Sequence, residues 1–174
     1  THVGTVLIDP ATGQIDPSWT LQARTGTNGG RVSVKSIKII NDHIYLGGIF
    51  THFQGNGASW TYARNGARLD INGKPDRTWN PEFNGTVIDI DVDENETYYY
   101  AAGYFTRAHD RVVENAGRLS TAAGAALDQS WTFRHSYLIG KYQQTVTAAN
   151  GRVYFGGSQH SLFGYNSDSM TRTS

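Results

Sequence analysis

The sequence predicts an all-β fold assembled from a repeated unit of short antiparallel strands. Three observations lead to this prediction: the composition, two series of motifs that recur in step, and frequent turn-forming residue pairs. The 174 residues include 10 Tyr, 7 Phe, 4 Trp and 20 Gly but a single Met. Aromatic side chains suit the half-buried surface of a pleated sheet, and glycine permits tight turns. The alanine-rich residues 122–126 include Gly124 and are too few to form a stable helix.

The first motif series pairs an apolar strand with an aromatic strand that ends in small residues. Its copies combine residues 34–40 with 44–51, 87–92 with 97–106, and 145–149 with 152–157. Within the aromatic strands, glycines recur at spacings of 55 and 54 residues, at Gly48, Gly103 and Gly157. We therefore expect these glycines to occupy equivalent places in copies of one unit.

The second motif series is an Asp-x-x-Trp element that follows a short strand and a glycine-bearing turn. It occupies residues 16–19, 76–79 and 128–131, and its tryptophans lie 60 and 52 residues apart. Because the element recurs once per unit, we interpret it as structural. We expect each Trp to wedge between neighbouring sheets and each Asp to cap the preceding turn through its side chain.

Each unit is predicted to contain four strands: the apolar strand, the aromatic strand, an Arg-Leu-Asp strand and a short strand near the Trp. Tight turns are indicated by six Asn-Gly pairs, at residues 28–29, 56–57, 65–66, 72–73, 84–85 and 150–151. A four-stranded antiparallel unit of 50 to 60 residues is typical of a β-propeller blade, and four to eight blades surround a channel.

Residues 1–174 are therefore predicted to form a single β-propeller segment of about three repeats. Residues 1–33 are the end of one blade, 34–86 and 87–144 are two blades, and 145–174 are the start of the next. We expect further blades of the same larger protein to complete the ring. An open array of sheets is the alternative.

The motifs at residues 45–51, 68–70, 76–81 and 84–87 resemble a family of short-bladed propeller repeats with the pattern GGxFT…ARLD…TGxxDxxWNP. Such repeats are similar to modules of secreted surface proteins of actinobacteria and of tail proteins of their phages. The resemblance implies an extracellular location, on a secreted protein, a cell surface or a virion. The chain departs from the pattern at Ala102, at Ser120 and at residues 158–160.

Charge and composition disfavour several classes of partner. The 15 basic and 15 acidic residues balance and form no block, which argues against a nucleic-acid partner. No apolar run approaches the roughly 20 residues that cross a bilayer, so no membrane insertion is expected. The sequence has no Cys and hence no thiolate chemistry.

The candidate site lies in loops that combine aromatic, planar polar and charged side chains. The loops at residues 51–60, 80–85, 106–113 and 133–138 are expected to share a face with the connections between blades. Aromatic rings can stack on sugar rings while polar groups bind hydroxyls. The candidate ligand-binding residues are His52, Gln54, Trp60, His109, Asp110, Arg111, Arg134 and His135. The alternative is that the aromatic residues only pack one blade on the next.

The sequence predicts no catalytic residue, metal or cofactor. The acidic run at residues 89–96 resembles the start of a calcium loop, but Glu94 stands where such loops need Gly, and the alternation indicates a strand. No HExxH or GxSxG motif is present. We expect a non-enzymatic module for adhesion or receptor recognition that binds a cell-surface glycan or protein. A structural spacer or assembly module and a glycoside-cleaving enzyme are the alternatives, and a homo-oligomer is left open.

Overall fold

Every regular element in the described part of the chain is a β-strand, which confirms the all-β prediction. The computed structural model describes residues 4–26, 30–131, 142–158, 164–166 and 172–173. In these residues no helix is long and apolar enough to cross a membrane. In chain order, the strands are β1 (Gln22–Arg24), β2 (Ser33–Ile40), β3 (His43–Ile49), β4 (His52–Gln54), β5 (Thr61–Tyr62), β6 (Gly66–Asp70), β7 (Val87–Val92), β8 (Tyr98–Gly103), β9 (Arg107–Ala108), β10 (Arg111–Val112), β11 (Ala116–Ser120), β12 (Tyr142–Ala149), β13 (Arg152–Ser158), β14 (Gly164–Asn166) and β15 (Arg172–Thr173).

Three antiparallel sheets follow one another along the chain. The first sheet has the order β2-β3-β6, the second sheet β7-β8-β11, and the third sheet β12-β13-β14-β15. In the first two sheets the expected fourth strand is reduced to single bridges, Leu69 with Pro75 and Leu119 with Leu127. The strand stops after one bridge because the Asp-x-x-Trp turn begins at the next residue.

The same irregularity recurs between the first two strands of every sheet. A β-bulge adds one residue to β2, β7 and β12, at residues 34–36, 87–89 and 143–145. Opposite each bulge, the residue on the second strand has no room for a side chain. A Cβ there would collide with a carbonyl oxygen of the first strand, or of the residue just before that strand. The glycines at this place are Gly48, Gly103 and Gly157. The three glycines therefore lie in matching surroundings, as a repeated unit requires.

Two of the three predicted wedge tryptophans, Trp79 and Trp131, lie between two of these sheets. Trp79 is completely buried, and its ring lies 5.4 Å from Tyr45 of the first sheet and 4.9 Å from Tyr99 of the second. Trp131 similarly contacts Tyr100 of the second sheet and Phe155 of the third. This confirms the predicted role of these two tryptophans.

The predicted role of the aspartates is wrong in its direction. The Asp76 carboxylate accepts hydrogen bonds from the backbone and hydroxyl of Thr78, both at 2.7 Å, so it caps the turn that follows it. Its other oxygen forms an ion pair with Arg68 at 2.6 Å. Asp128 repeats both contacts with Ser130 and Arg118. The sequence could not reveal the ion pair because it depends on how β6 and β11 meet the chain after their turns.

The acidic run begins in β7, as the alternation predicted, and its carboxylates join neighbouring sheets. Asp89 accepts hydrogen bonds from Ser36 of β2 at 2.7 Å and from the Val146 amide of β12 at 2.9 Å. Asp91 forms an ion pair with Lys38 of β2 at 2.6 Å and accepts from the Ala148 amide at 2.8 Å. Thus β2, β7 and β12 lie side by side.

Two small sheets contain strands that were predicted only as loops between the second and third strands of their units, namely β4 with β5 and β9 with β10; β1 precedes the first sheet. The side sheet has the order β1-β4-β5, and the side hairpin consists of β9 and β10. Strand β4 forms because its central residue, Phe53, is fully buried with its ring 4.5 Å from that of Phe50. A single apolar residue between two polar ones was too short a pattern to predict this strand.

Candidate functional site

The side sheet presents one buried and one solvent-facing surface. Because successive side chains in a strand point to opposite faces, His52 and Gln54 lie together and Phe53 points away. Cross-strand pairing places Arg24 and Tyr62 on either side of His52, and Gln22 beside Gln54. The opposite surface consists of the buried residues Ala23, Phe53 and Thr61. We call the solvent-facing group the outer face; it comprises Gln22, Arg24, His52, Gln54, Tyr62 and the adjoining Trp60.

Two ring contacts organise the outer face. The Arg24 guanidinium lies 4.3 Å from the centre of the Trp60 ring, within the range of a cation–π interaction. The His52 ring stands edge-on to Tyr62, with the ring centres 5.3 Å apart. Tyr62 is 46% exposed, so much of its side chain stays open to solvent. The face therefore combines an accessible aromatic ring with oriented polar groups.

The charge state of His52 depends on its partial burial and, second, on the neighbouring Arg24. Desolvation, followed by the charge of Arg24, lowers the pKa of His52 below 6.5. The imidazole is consequently neutral at pH 7 and can both donate and accept hydrogen bonds. Its Nδ1 lies 2.8 Å from the Thr51 hydroxyl, which also accepts the Gly26 amide at 2.7 Å. The Nε of Arg24 is buried and makes no hydrogen bond to the described residues.

The side hairpin holds three more of the candidate residues, but one of them has a structural role. His109 lies at the tip with a φ of 48°, its Nε2 donates to the Ala125 carbonyl at 3.0 Å, and its amide donates to the Pro81 carbonyl. Asp110 and Arg111 are exposed. The structure thus brings His52, Gln54 and Trp60 together in the side sheet and places His109, Asp110 and Arg111 on a different element. Arg134 and His135 lie outside the described residues.

We expected these loops to lie on the face that carries the connections between successive sheets. Only the bases of the loops lie there. At the base of the side hairpin, the Asn84 side-chain oxygen accepts the Thr106 and Arg107 amides, both at 2.8 Å. The tips instead turn back toward the opposite ends of the main strands. Gly55 packs against the Gly73 carbonyl in the turn after β6, as His109 does against Ala125 after β11.

Sequence reasoning did not identify Gln22, Arg24 or Tyr62. The alternation of polar residues around Ala23 was a usable signal for a strand, but three residues do not specify a partner. Only the pairing of β1 with β4, across residues 22–24 and 52–54, brings Arg24 beside His52.

The junctions between the three sheets are lined by different residues. Between the first and second sheets, Glu96 closes the junction by binding Asn41 at 2.8 Å, His43 at 2.6 Å and the Tyr45 hydroxyl at 2.9 Å. Although desolvation opposes it, these hydrogen bonds lower the pKa of Glu96. Between the second and third sheets a groove of about 270 Å³ remains, lined by residues that include Glu94, Tyr98 and Arg152. A larger and more open groove of about 730 Å³ lies beside the side-sheet tip at residues 56–59.

The described residues contain no group of three or more side chains arranged to hold a metal ion. Comparison with known proteins gave no matching family model, no matching curated protein and no matching solved structure. The resemblance of residues 45–51 and 76–81 to short-bladed propeller repeats therefore stays a prediction. A functional assignment has to rest on the geometry of the outer face.

Proposed function

We propose that this protein is a non-enzymatic, extracellular recognition module that binds a cell-surface glycan through the outer face of the side sheet. The observation that carries the proposal is the grouping, on adjacent strands, of an open aromatic ring with planar polar side chains. Tyr62 offers the ring, while His52 and Gln54 offer hydrogen-bonding groups beside it.

The chemistry of this face suits sugar hydroxyls better than an anion. A neutral imidazole and amide groups can each donate and accept, as a hydroxyl does. The Arg24 guanidinium lies over the Trp60 ring, 4.3 Å from its centre, so part of its cationic surface is already occupied. None of the six residues that form the outer face is a carboxylate, whereas glycoside cleavage uses a facing pair of them. Binding is therefore favoured over hydrolysis.

We further propose that the three main sheets are successive blades of a β-propeller, and that the chain forms part of a larger surface or phage tail protein. Support for the blades comes from the recurring bulge, the recurring glycine and the Arg–Asp pairs beside Trp79 and Trp131. The parallel course of β2, β7 and β12, joined through Asp89 and Asp91, matches the inner strands of such a ring.

A glycan array tests the proposed function. The wild-type protein should bind a defined subset of neutral oligosaccharides, and the double variant H52A/Y62A should lose that binding. R111A, which alters an exposed residue of the side hairpin, is the matched control and should bind as the wild type does. Absence of any glycan signal, together with binding of a cell-surface protein in a pull-down, would reject a glycan in favour of a protein partner.

An assembly role is the second candidate function. It is favoured by the exposed apolar side chains along the first sheet, of which Ile37 and Ile39 are 52% and 57% exposed. Exposed apolar groups of this kind often mark interaction surfaces.

A further inference from the structure

The Asn-Gly pairs of this chain share one dipeptide sequence but lie in different surroundings. The pair at residues 28–29 lies outside the described residues, and the third sheet, which contains residues 150–151, is described only in part. The remaining pairs begin at Asn56, Asn65, Asn72 and Asn84. Because the dipeptide is the same in these four pairs, a difference in their reactivity has to come from the fold.

The reaction to which an Asn-Gly pair is prone is deamidation. The backbone nitrogen of the Gly loses its proton and attacks the side-chain carbonyl carbon of the Asn, and ammonia leaves. Water then opens the cyclic imide on one side or the other, which gives Asp or isoaspartate. Gly favours the attack because it has no Cβ and its backbone turns freely. The reaction therefore needs a Gly amide without a hydrogen bond and an Asn side chain that is free to turn toward it.

In two of the four pairs, hydrogen bonds hold the Asn side chain. The Asn65 side chain donates to the Phe83 carbonyl at 2.8 Å and accepts from the Phe50 amide at 3.3 Å. The Asn84 side chain makes hydrogen bonds of 2.8 to 3.0 Å to residues 106–107 at the base of the side hairpin. Turning either carboxamide toward its Gly would break these bonds, so both pairs are protected.

In the third pair, the Gly is held instead. Asn72 is exposed, but the Gly73 amide donates to the Asp70 carbonyl at 3.0 Å. Gly73 is buried against the ring of Trp19. The Asn72 amide in turn donates to the Asp70 carboxylate at 2.9 Å. Attack by the Gly73 nitrogen thus requires local opening of this turn.

The pair at Asn56 and Gly57 is held at neither group. Both residues are exposed at the tip of the side sheet, with φ values of 45° and 71°. The Ala58 amide closes this turn by donating to the Gly55 carbonyl at 2.9 Å, and the Asn56 amide donates to the Thr20 hydroxyl at 3.0 Å. Among the described residues, the Asn56 carboxamide and the Gly57 amide make no hydrogen bond. A Cβ added at Gly57 would meet no atom within 4 Å, so the space around the attacking nitrogen is open.

We propose that Asn56 is a modification site that deamidates spontaneously in the folded protein, whereas the other three asparagines are preserved by their contacts. The reaction needs only water: Asn56 becomes Asp or isoaspartate, and ammonia is released. The inference rests on the geometry of the side-sheet tip and not on glycan binding, so the two proposals can fail separately.

The product changes the charge of the side-sheet tip. Residues 56–59 border the open groove of about 730 Å³ that Lys74 and Arg77 also line. Neither of these cations has an ion-pair partner among the described residues. A carboxylate at position 56 adds a negative charge to this groove, and isoaspartate also adds a backbone carbon to the turn between β4 and β5. The modification therefore alters the same element that carries the outer face.

Peptide mapping by mass spectrometry, after the folded protein has stood at mildly alkaline pH without any glycan, tests the proposal. Asn56 should convert to a mixture of Asp and isoaspartate. The asparagines at 65, 72 and 84 should react at least about tenfold more slowly, because they react only after local opening. The same incubation in urea is the control, and there the four pairs should react at similar rates, since the unfolded chain holds none of them.

Amide hydrogen exchange of the native protein tests the structural cause. The Gly57 amide should exchange as in an unstructured peptide, and the Gly73 amide at least about tenfold more slowly. A protected Gly57 amide would overturn the proposal. So would equal rates of deamidation at the four pairs in the folded protein, or an Asn56 that stays intact there while it reacts in urea.

Discussion

The side sheet and the side hairpin occupy the same position in successive units but present different surfaces. Both follow the aromatic strand, and both have tips that pack against the turn after the third strand, at Gly73 and at Ala125. The side sheet gains a third strand, β1, whereas in the side hairpin the Asn84 side chain takes the place of such a strand. The added strand brings Arg24 into line with His52 and completes the outer face.

This difference separates what supports the fold from what is available for function. The buried Trp, the Arg–Asp pair and the bulge glycine are present in both units, and the Arg–Asp pair has the same 2.6 Å geometry in both. The aromatic-polar grouping is present in only one of them. A constant frame that carries variable surface elements is a usual way for repeated folds to acquire binding sites.

The largest expected effect is a difference in unfolding free energy between the loss of Trp79, which packs between two sheets, and the loss of Trp60, which lies on the outer face. Trp79→Ala should lower the free energy of unfolding by about 3–5 kcal/mol, because it empties a fully buried site between two sheets. Trp60→Ala removes a partly exposed ring and should cost about 1 kcal/mol or less, mainly the contact with Arg24. Urea unfolding measures both, and equal losses would contradict the distinction.

The Arg–Asp pairs should contribute equally in the two units. Asp76→Asn and Asp128→Asn should each lower stability by about 1–3 kcal/mol, because each weakens an ion pair and leaves an Arg that is no more than 11% exposed without its charge partner. Asp16→Asn is the control and should cost less, since Leu7 stands where the other units have Arg. Chemical denaturation of the three variants provides the comparison.

The same pairs predict a loss of stability in acid. Desolvation acts to raise the pKa of Asp76 and of Asp128, but hydrogen bonds from the following turn and from Arg outweigh it, and both pKa values are lowered. Their contribution is therefore complete above the unfolded pKa of 3.8 and is lost as the pH falls below it. Thermal unfolding between about pH 5 and pH 2 should show a steep decline that flattens in an Asp76→Asn/Asp128→Asn variant.

The binding prediction tests the difference between the two elements themselves. Tyr62→Ala should weaken the affinity for the best oligosaccharide from the array about tenfold or more, because aromatic anchors dominate small interfaces. Arg107→Ala on the side hairpin should change it less than about twofold. Isothermal titration calorimetry gives both values. A loss that is the same for both variants would mean that the outer face is not the site.

The smallest expected effect concerns His52. Its folded pKa lies below the ordinary value of 6.5, so the unfolded chain takes up this proton first as the pH falls. Stability should therefore decline slightly below about pH 6.5, and His52→Gln should remove that part of the decline. An NMR titration of the histidine ring protons reads the pKa directly; a midpoint above 6.5 would show that burial and the charge of Arg24 do not control this group.

The motifs that recur along the sequence were sufficient to predict the β-strands of the three sheets, but not the elements between them. The spacing of Gly48, Gly103 and Gly157 identified equivalent positions because backbone crowding excludes any Cβ there. The packing role of Trp79 between two sheets was predicted correctly, because a residue that recurs once per unit usually has the same structural role in each unit. The side sheet was not predicted, since β1 and β4 have three residues each and their pairing is decided by tertiary contact.

The candidate site was predicted in part for the same reason. His52, Gln54 and Trp60 were identified by residue type within a long loop. Arg24 lies 28 positions earlier in the chain than His52, and only the β1–β4 pairing joins them. His109 had the same residue type as His52, yet its ring is used to hold a turn. Residue type alone could not distinguish these two histidines.

Backbone NMR shifts of the ¹⁵N-labelled protein, recorded while the best oligosaccharide from the array is added, test the proposed site most directly. We predict that the perturbed amides cluster at residues 22–24, 52–54 and 60–62, and that residues 107–112 are unaffected. Perturbation centred on the side hairpin or on the groove between the second and third sheets, with residues 52–54 unchanged, would contradict the assignment of recognition to the outer face.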